Sequence, residues 1–321
     1  MKIEFIISKT ENQFFFLSNL SKWHFSCRPD YNAEWLAPKQ LLLEEVKLLH
    51  AFGEVLVTHG YEYKKGKNQY IGQSFYIPPE RGKWNSVRSQ LSLPEYNLVK
   101  KCFMLFSERF GKTWDPSLLR KWRSVFKKEI KKPNVKELFS RIEKFYGVSL
   151  PQTLRVHLIA SPSKTRSVAG SANVGSRDIV LEVPIFNVTQ WNIEFGISIL
   201  AHELIHTLIE RSPKILSLIA VKNKNKNIFN RNKVETLKEL VGELCAPFGY
   251  PCYKAFSSFE PISDVLLPRI INTDTKSFEY VVKRIVWGMY PIVGGYIKKD
   301  MVIDRFIVQK LTTSLQEVLK P

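Results

Sequence analysis

The pattern of apolar and polar positions changes character twice along this chain. Residues 2–8 (Lys-Ile-Glu-Phe-Ile-Ile-Ser) read as an opening strand. Thereafter Leu41, Leu42, Leu43, Val46, Leu48, Leu49 and Phe52 recur at helical spacing, as do Leu98, Cys102, Leu105, Phe106 and Phe110. Gly82, Pro94, Pro116 and Pro133 punctuate this part, and a helix predicted over 135–146 stops at Gly147. From Leu154 the period falls to two. Residues 154–159 alternate like a strand, 167–174 are small and extended, and 178–183 form another strand stopped by Pro184, with turns at 161–166 and 175–177. Residues 195–210 then read as a helix apolar nearly all round, which marks it as buried. A polar loop is expected at 222–233. Helical spacing resumes with Val234, Leu237, Leu240, Val241 and Leu244 until Pro247, and further helices are predicted near 278–287 and 291–319. No internal repeat is found. The pattern predicts an α+β protein: a mainly helical domain over 1–133, then a domain over 134–321 with a small sheet, a buried helix and a helical C-terminal part.

Composition narrows the setting. The short apolar run at the N-terminus, broken by Glu4, does not make a signal peptide, and no apolar run approaches the roughly 20 residues that span a bilayer. Four cysteines, Cys27, Cys102, Cys245 and Cys252, are too few for a disulfide framework, and Cys245 and Cys252 read as buried thiols. A cytoplasmic protein is therefore expected. Lys and Arg number 48 against 30 Asp and Glu, a formal charge of +18 that would attract nucleic acid or an acidic surface. Basic residues gather at 64–67, 120–132 and 222–233. The excess is nevertheless spread over the whole chain, so a solvated surface is favoured over a dedicated nucleic-acid groove.

The chemistry lies in the buried helix. His202-Glu203-Leu204-Ile205-His206 places two imidazoles four residues apart, hence on one helical face, with a carboxylate beside them. With six histidines in the chain, chance would give this H-E-x-x-H zinc signature in fewer than about one such sequence in a hundred. Two His and a Glu in an apolar helix each cost several kcal/mol without partners, and a metal supplies them. His157, inside a strand, reads instead as structural.

Two histidines leave the zinc site short of a ligand, because a catalytic zinc takes three protein ligands and keeps a fourth position for water. Ser212 and Ile209 stand where a metzincin would carry its third His and its Gly, and no histidine follows His206. A downstream third ligand must then be a carboxylate. From periodicity alone, Glu235, Glu239 and Glu243 are one row on a helix and could be its solvated face.

Val234-Glu235-Thr-Leu-Lys-Glu239-Leu-Val-Gly242 resembles the gluzincins, the thermolysin-like zinc peptidases, whose third ligand is a Glu followed four residues on by an acidic residue. The resemblance covers roughly residues 150–250. It implies a zincin-like domain with Zn2+ held by His202, His206 and Glu235, and Glu239 bonded behind to a histidine ring. Glu239 is the alternative ligand and Glu210 a more distant one. Glu stands at the second place where thermolysin has Asp.

By that resemblance, Glu203 is the general base and a tyrosine is the oxyanion donor, with Tyr290 and Tyr296 as candidates and Tyr250 and Tyr280 behind them. A substrate peptide would add along the sheet edge near Gly170, Ala172 and Asn173. The expectation is a zinc metallopeptidase acting on peptide or protein. The alternatives are a zincin-fold binding protein without proteolysis and a basic nucleic-acid-binding protein.

Overall fold

A computed structural model describes the chain except residues 24–26, 60–70, 77, 163–168, 173–177, 185–187, 221–226, 229–230, 257–277 and 319–321. The protein is α+β and mainly helical, with one four-stranded sheet and one two-stranded ribbon among the described residues. It divides into two units interleaved in sequence: Lys2–Ser124 with Thr153–Val188, and Val125–Gln152 with Thr189–Pro321. The sequence pattern placed one boundary after residue 133 and assigned the sheet to the second part. The opening strand instead pairs with the strand that follows residue 152, which draws the sheet into the unit of the first helices.

In that unit β1 (Lys2–Ile6), β2 (Thr153–Ser161), β3 (Ala169–Ala172) and β4 (Asp178–Pro184) lie in the order β1-β2-β4-β3. The first three in that order run parallel, and β3 is antiparallel at the edge. Around them are α1 (Lys9–Leu20), α2 (Pro29–Leu36), α3 (Leu43–His59), α4 (Ile71–Tyr76), α5 (Lys83–Gln90), α6 (Leu93–Leu105) and α7 (Ser107–Thr113). Ser8 starts α1 by accepting a hydrogen bond from the Glu11 amide, and Ser92 with Glu95 forms a capping box on α6. Where β1 ends, the Asn12 side chain replaces it against β2. Its amide donates to the Leu158 carbonyl at 3.1 Å and its oxygen accepts from the Ala160 amide at 2.8 Å, so the strand's backbone groups stay satisfied. The core is aromatic, with Phe14, Phe75 and Phe103 stacked in sequence.

A chain of buried charges crosses this core. Lys83 Nζ lies 2.6 Å from Glu11 Oε1 and also donates to the Phe75 carbonyl, and Glu11 Oε2 stands 3.0 Å from His157 Nδ1 as an ion pair without hydrogen-bond alignment. His157 Nε2 meets Asp178 Oδ1 at 2.9 Å, and Arg155 donates to the other Asp178 oxygen at 2.7 Å. His157 is therefore structural. Burial lowers its affinity for a proton, but Asp178 and Glu11 outweigh burial and raise its pKa.

Helix α8 (Pro116–Glu129) carries the chain from one unit into the other. The second unit holds α9 (Pro133–Tyr146), α10 (Gln190–Arg211), α11 (Pro213–Ile219), β5 (Asn227–Ile228), β6 (Arg231–Asn232), α12 (Lys233–Glu243), α13 (Tyr250–Ala255), α14 (Phe278–Gly288), α15 (Tyr290–Lys298) and α16 (Arg305–Val318). Gly147 ends α9 in the left-handed region at φ 61°, where an added Cβ would also come within 2.8 Å of Val302. The helical run expected over 291–319 is two helices. The break falls at Asp300, with φ 50°, and Asp304 starts α16 by accepting from the Ile307 amide at 3.2 Å. Tyr146 donates to the Val241 carbonyl at 2.6 Å and ties α9 to α12. Among the described residues no helix is long and apolar enough to cross a membrane.

Removing one member of a buried charge chain strands its partners, at a cost of about 3–5 kcal/mol. Lys83→Met and His157→Gln should each lower unfolding stability by that order in urea titrations at pH 6. A raised folded-state pKa contributes stability that is complete below the unfolded value and is lost as pH rises through the folded one. The deficit of His157→Gln should therefore shrink in titrations repeated at rising pH.

Candidate metal centre

Helix α10 begins at Thr189, whose hydroxyl accepts from the Asn192 amide, and runs apolar on nearly every side. Ile197, Leu200, Ala201, Leu204, Ile205 and Leu208 are buried around the motif, and His202 and Glu203 are buried with them. The four-residue spacing brings the two Nε2 atoms of His202 and His206 to 2.9 Å. On its other side the His202 ring has Nδ1 3.0 Å from the Ala246 carbonyl. A carbonyl only accepts, so this bond keeps a proton on Nδ1, and Nε2, facing His206, is the nitrogen that can take a metal once its own proton is released.

Helix α12 supplies the third group. Glu239 Oε1 lies 3.5 Å from His202 Nε2, and its Oε2 lies 3.5 Å from His206 Nε2. One ligand atom from each of the three residues falls within 4.8 Å of the others. Gly242, one turn further along, lets α12 approach both rings. A Cβ there would stand 3.4 Å from His206 Cε1 and 3.5 Å from His202 Cε1, in ordinary contact, so a side chain branching beyond it would press on the rings.

The three glutamates of α12 have separate environments. Glu235 has a 46 % exposed side chain and pairs with Lys238 at 3.2 Å, and Lys238 also holds Glu210 at 2.7 Å. Glu239 faces the histidines with a 25 % exposed side chain. Glu243 is buried against Lys283 at 2.6 Å. The structure thus brings Glu239, rather than Glu235 or Glu210, to the histidine pair. Lys283 and the Ala246 carbonyl were not picked out from the sequence. Lys283 did leave a signal, a charge set beside the buried Val282 and Val286 on α14.

The charges are strongly coupled. Burial disfavours a charged His202, but a hydrogen bond with Glu239 and the fields of Glu243 and Glu203 outweigh it and lift the pKa to about 9. Burial likewise opposes a charged Glu239, yet His202, His206 and Lys283 hold its carboxyl down to about 2. Burial pushes Glu243 upward, against the pull of Lys283.

The donor set suits a zinc ion. Two ligands bonded at about 2.0–2.1 Å in a tetrahedron lie about 3.3 Å apart, and the observed separations of 2.9 and 3.5 Å bracket that value. With Nδ1 held by the Ala246 carbonyl, it is Nε2 of His202 that faces the common volume. No protein-family model, curated protein or solved structure matches this chain.

The remaining candidates are placed as follows. Tyr290 donates to the Phe248 carbonyl, and Tyr296 donates to Asp304 at 3.0 Å, so each hydroxyl already has an acceptor. Tyr250 packs its ring on Gly294, and Tyr280 is partly buried against the core. Gly170 and Ala172 lie on β3, an edge strand, opposite Leu181 and Ile179 of β4, in the unit that does not contain α10. Asn173 lies outside the described residues. Cys245 and Cys252 are free and buried.

Titration of the metal-free protein with Zn2+ against a chelating dye separates the glutamates. Glu239→Ala should weaken binding by about 100-fold or more, whereas Glu235→Ala should leave it within about threefold. Gly242→Val should weaken it about tenfold by displacing a histidine ring.

Proposed function

We propose that this chain is a zinc-dependent peptidase of the gluzincin kind. The observation that carries the reading is the convergence of His202, His206 and Glu239, with Glu203 in the turn between the two histidines. The gluzincin-like spacing is kept with a shift of one helical turn. Glu239 takes the ligand's place and Glu243, four residues on, that of the acid behind it.

Zinc, when bound, supplies a Lewis acid that makes water a nucleophile near neutral pH and polarises the scissile carbonyl. The chain's own groups do the rest. His202 and His206 present ring nitrogens, and the Ala246 carbonyl keeps His202 in the tautomer that does so. Glu239 contributes a carboxylate that stays ionised well below neutrality, which offsets the ion's charge. Glu203 is the proton carrier: it accepts the proton of the attacking water and passes it to the leaving amine. A purely structural site has no use for such a group next to its ligands. The buried Glu243–Lys283 pair sits on α12 one turn beyond Glu239 and anchors that helix to α14.

Metal analysis paired with Glu203→Gln tests this function. Wild type and variant should each carry about one zinc per chain, and hydrolysis of a mixed peptide pool should fall by about 100-fold or more in the variant alone. Zinc absent from wild-type protein purified without chelators would overturn the reading. Zinc present without hydrolysis of any peptide would point to a zincin-fold binding protein.

A further inference from the structure

Helix α8 separates its residues by charge. At 3.6 residues per turn Leu119, Trp122, Phe126 and Glu129 share one side, and all four are buried. Arg120, Lys121, Lys127 and Lys128 share the opposite side, all exposed, with Ser124 between them. Lys131 and Lys132 extend the same surface into the following turn. Asp115, before the helix, feels the Arg120 charge, and Lys132 pairs with Glu129 at 2.8 Å. Lys121, Lys127, Lys128 and Lys131 have no carboxylate at ion-pair distance among the described residues. The exposed face carries no acidic residue over about 12 Å of helix.

We propose that this face of α8 binds the phosphate backbone of nucleic acid, independently of the metal centre. Two rows of cations, Arg120 with Lys127 and Lys121 with Lys128, repeat every seven residues, about 10 Å along the axis. Such rows meet a regular polyanion, and a duplex presents one charge per about 1.7 Å of its axis. An anionic membrane is the poorer partner. An interfacial helix needs an apolar face to insert, and the apolar side of α8 is already buried, with the Trp122 indole donating to the Pro184 carbonyl at 2.9 Å. A face of lysine and arginine with one serine and no aromatic group meets phosphate rather than base edges, so the binding is independent of sequence.

Fluorescence anisotropy with a labelled DNA duplex of arbitrary sequence, in the full-length protein, tests this. Wild type should bind at low salt, with affinity falling steeply as salt rises. The triple variant K127E/K128E/K131E should bind on the order of tenfold or more weakly, and its log–log salt slope should be shallower by about three. A control with the same charge change at other exposed lysines, K47E/K101E/K214E, should lose much less, and circular dichroism should show both variants folded. Glu203→Gln should bind as wild type does, which separates this result from the fate of the peptidase reading. No duplex binding at low salt, or equal loss in both triple variants, would overturn the proposal. So would tighter, variant-sensitive binding to phosphatidylserine vesicles than to duplex.

Discussion

The second unit is organised around one energetic debt, the burial of an imidazole and a carboxylate, with a second imidazole half-buried, on an apolar helix. Unpaired, each group would cost several kcal/mol. The fold answers with α12, packed so near the His202 and His206 rings that a Cβ at Gly242 would already touch both. It brings Glu239 to both ring nitrogens at 3.5 Å. The carbonyl of Ala246, just after α12, takes the remaining proton of His202. What keeps a metal-free site tolerable is also what makes it a set of converging donors.

The first unit solves a similar problem in the opposite sense. Glu11, His157 and Asp178 are buried with Lys83, and the half-buried Arg155 ends the row, so that each charge meets its opposite. Both ring nitrogens of His157 face carboxylates, so no lone pair is left for a ligand. His202 faces a carbonyl on one nitrogen and the shared volume on the other. Two buried histidines in one chain are thus told apart by what stands on each side of the ring, a property that depends on neighbours remote in sequence.

Much of the fold was legible because the burial period is local. The switch from helical spacing to alternation at Leu154, the stop at Gly147 and the apolar run through His202 each depend on neighbours within a few residues. They correspond to β2, the end of α9 and the middle of α10. The pattern read a single helical stretch after residue 291, where the chain turns at Asp300 through a left-handed conformation that aspartate tolerates and periodicity does not register. The unit boundary was hidden for a different reason. Pairing β1 with β2 joins residues about 150 positions apart, and nothing local in residues 2–6 names its partner.

The candidate site divides along the same line. The sequence by itself determined that His202 and His206 share a face with Glu203 beside them, because four residues make about one turn of any α-helix. It also determined that a downstream third ligand would be acidic, since no histidine follows. It could not choose among Glu235, Glu239 and Glu243, because residues one turn apart are equivalent to a periodicity argument. Tertiary structure made the choice by depth: Glu235 meets Lys238 near the surface, Glu243 is buried on Lys283, and Glu239 between them meets the rings. The same holds for the basic residues of 120–128, which are a charge run in the sequence and become a single exposed face once Trp122 and Phe126 are buried on the other. Which side of a helix is covered is settled by what packs against it, and only the folded chain contains that information.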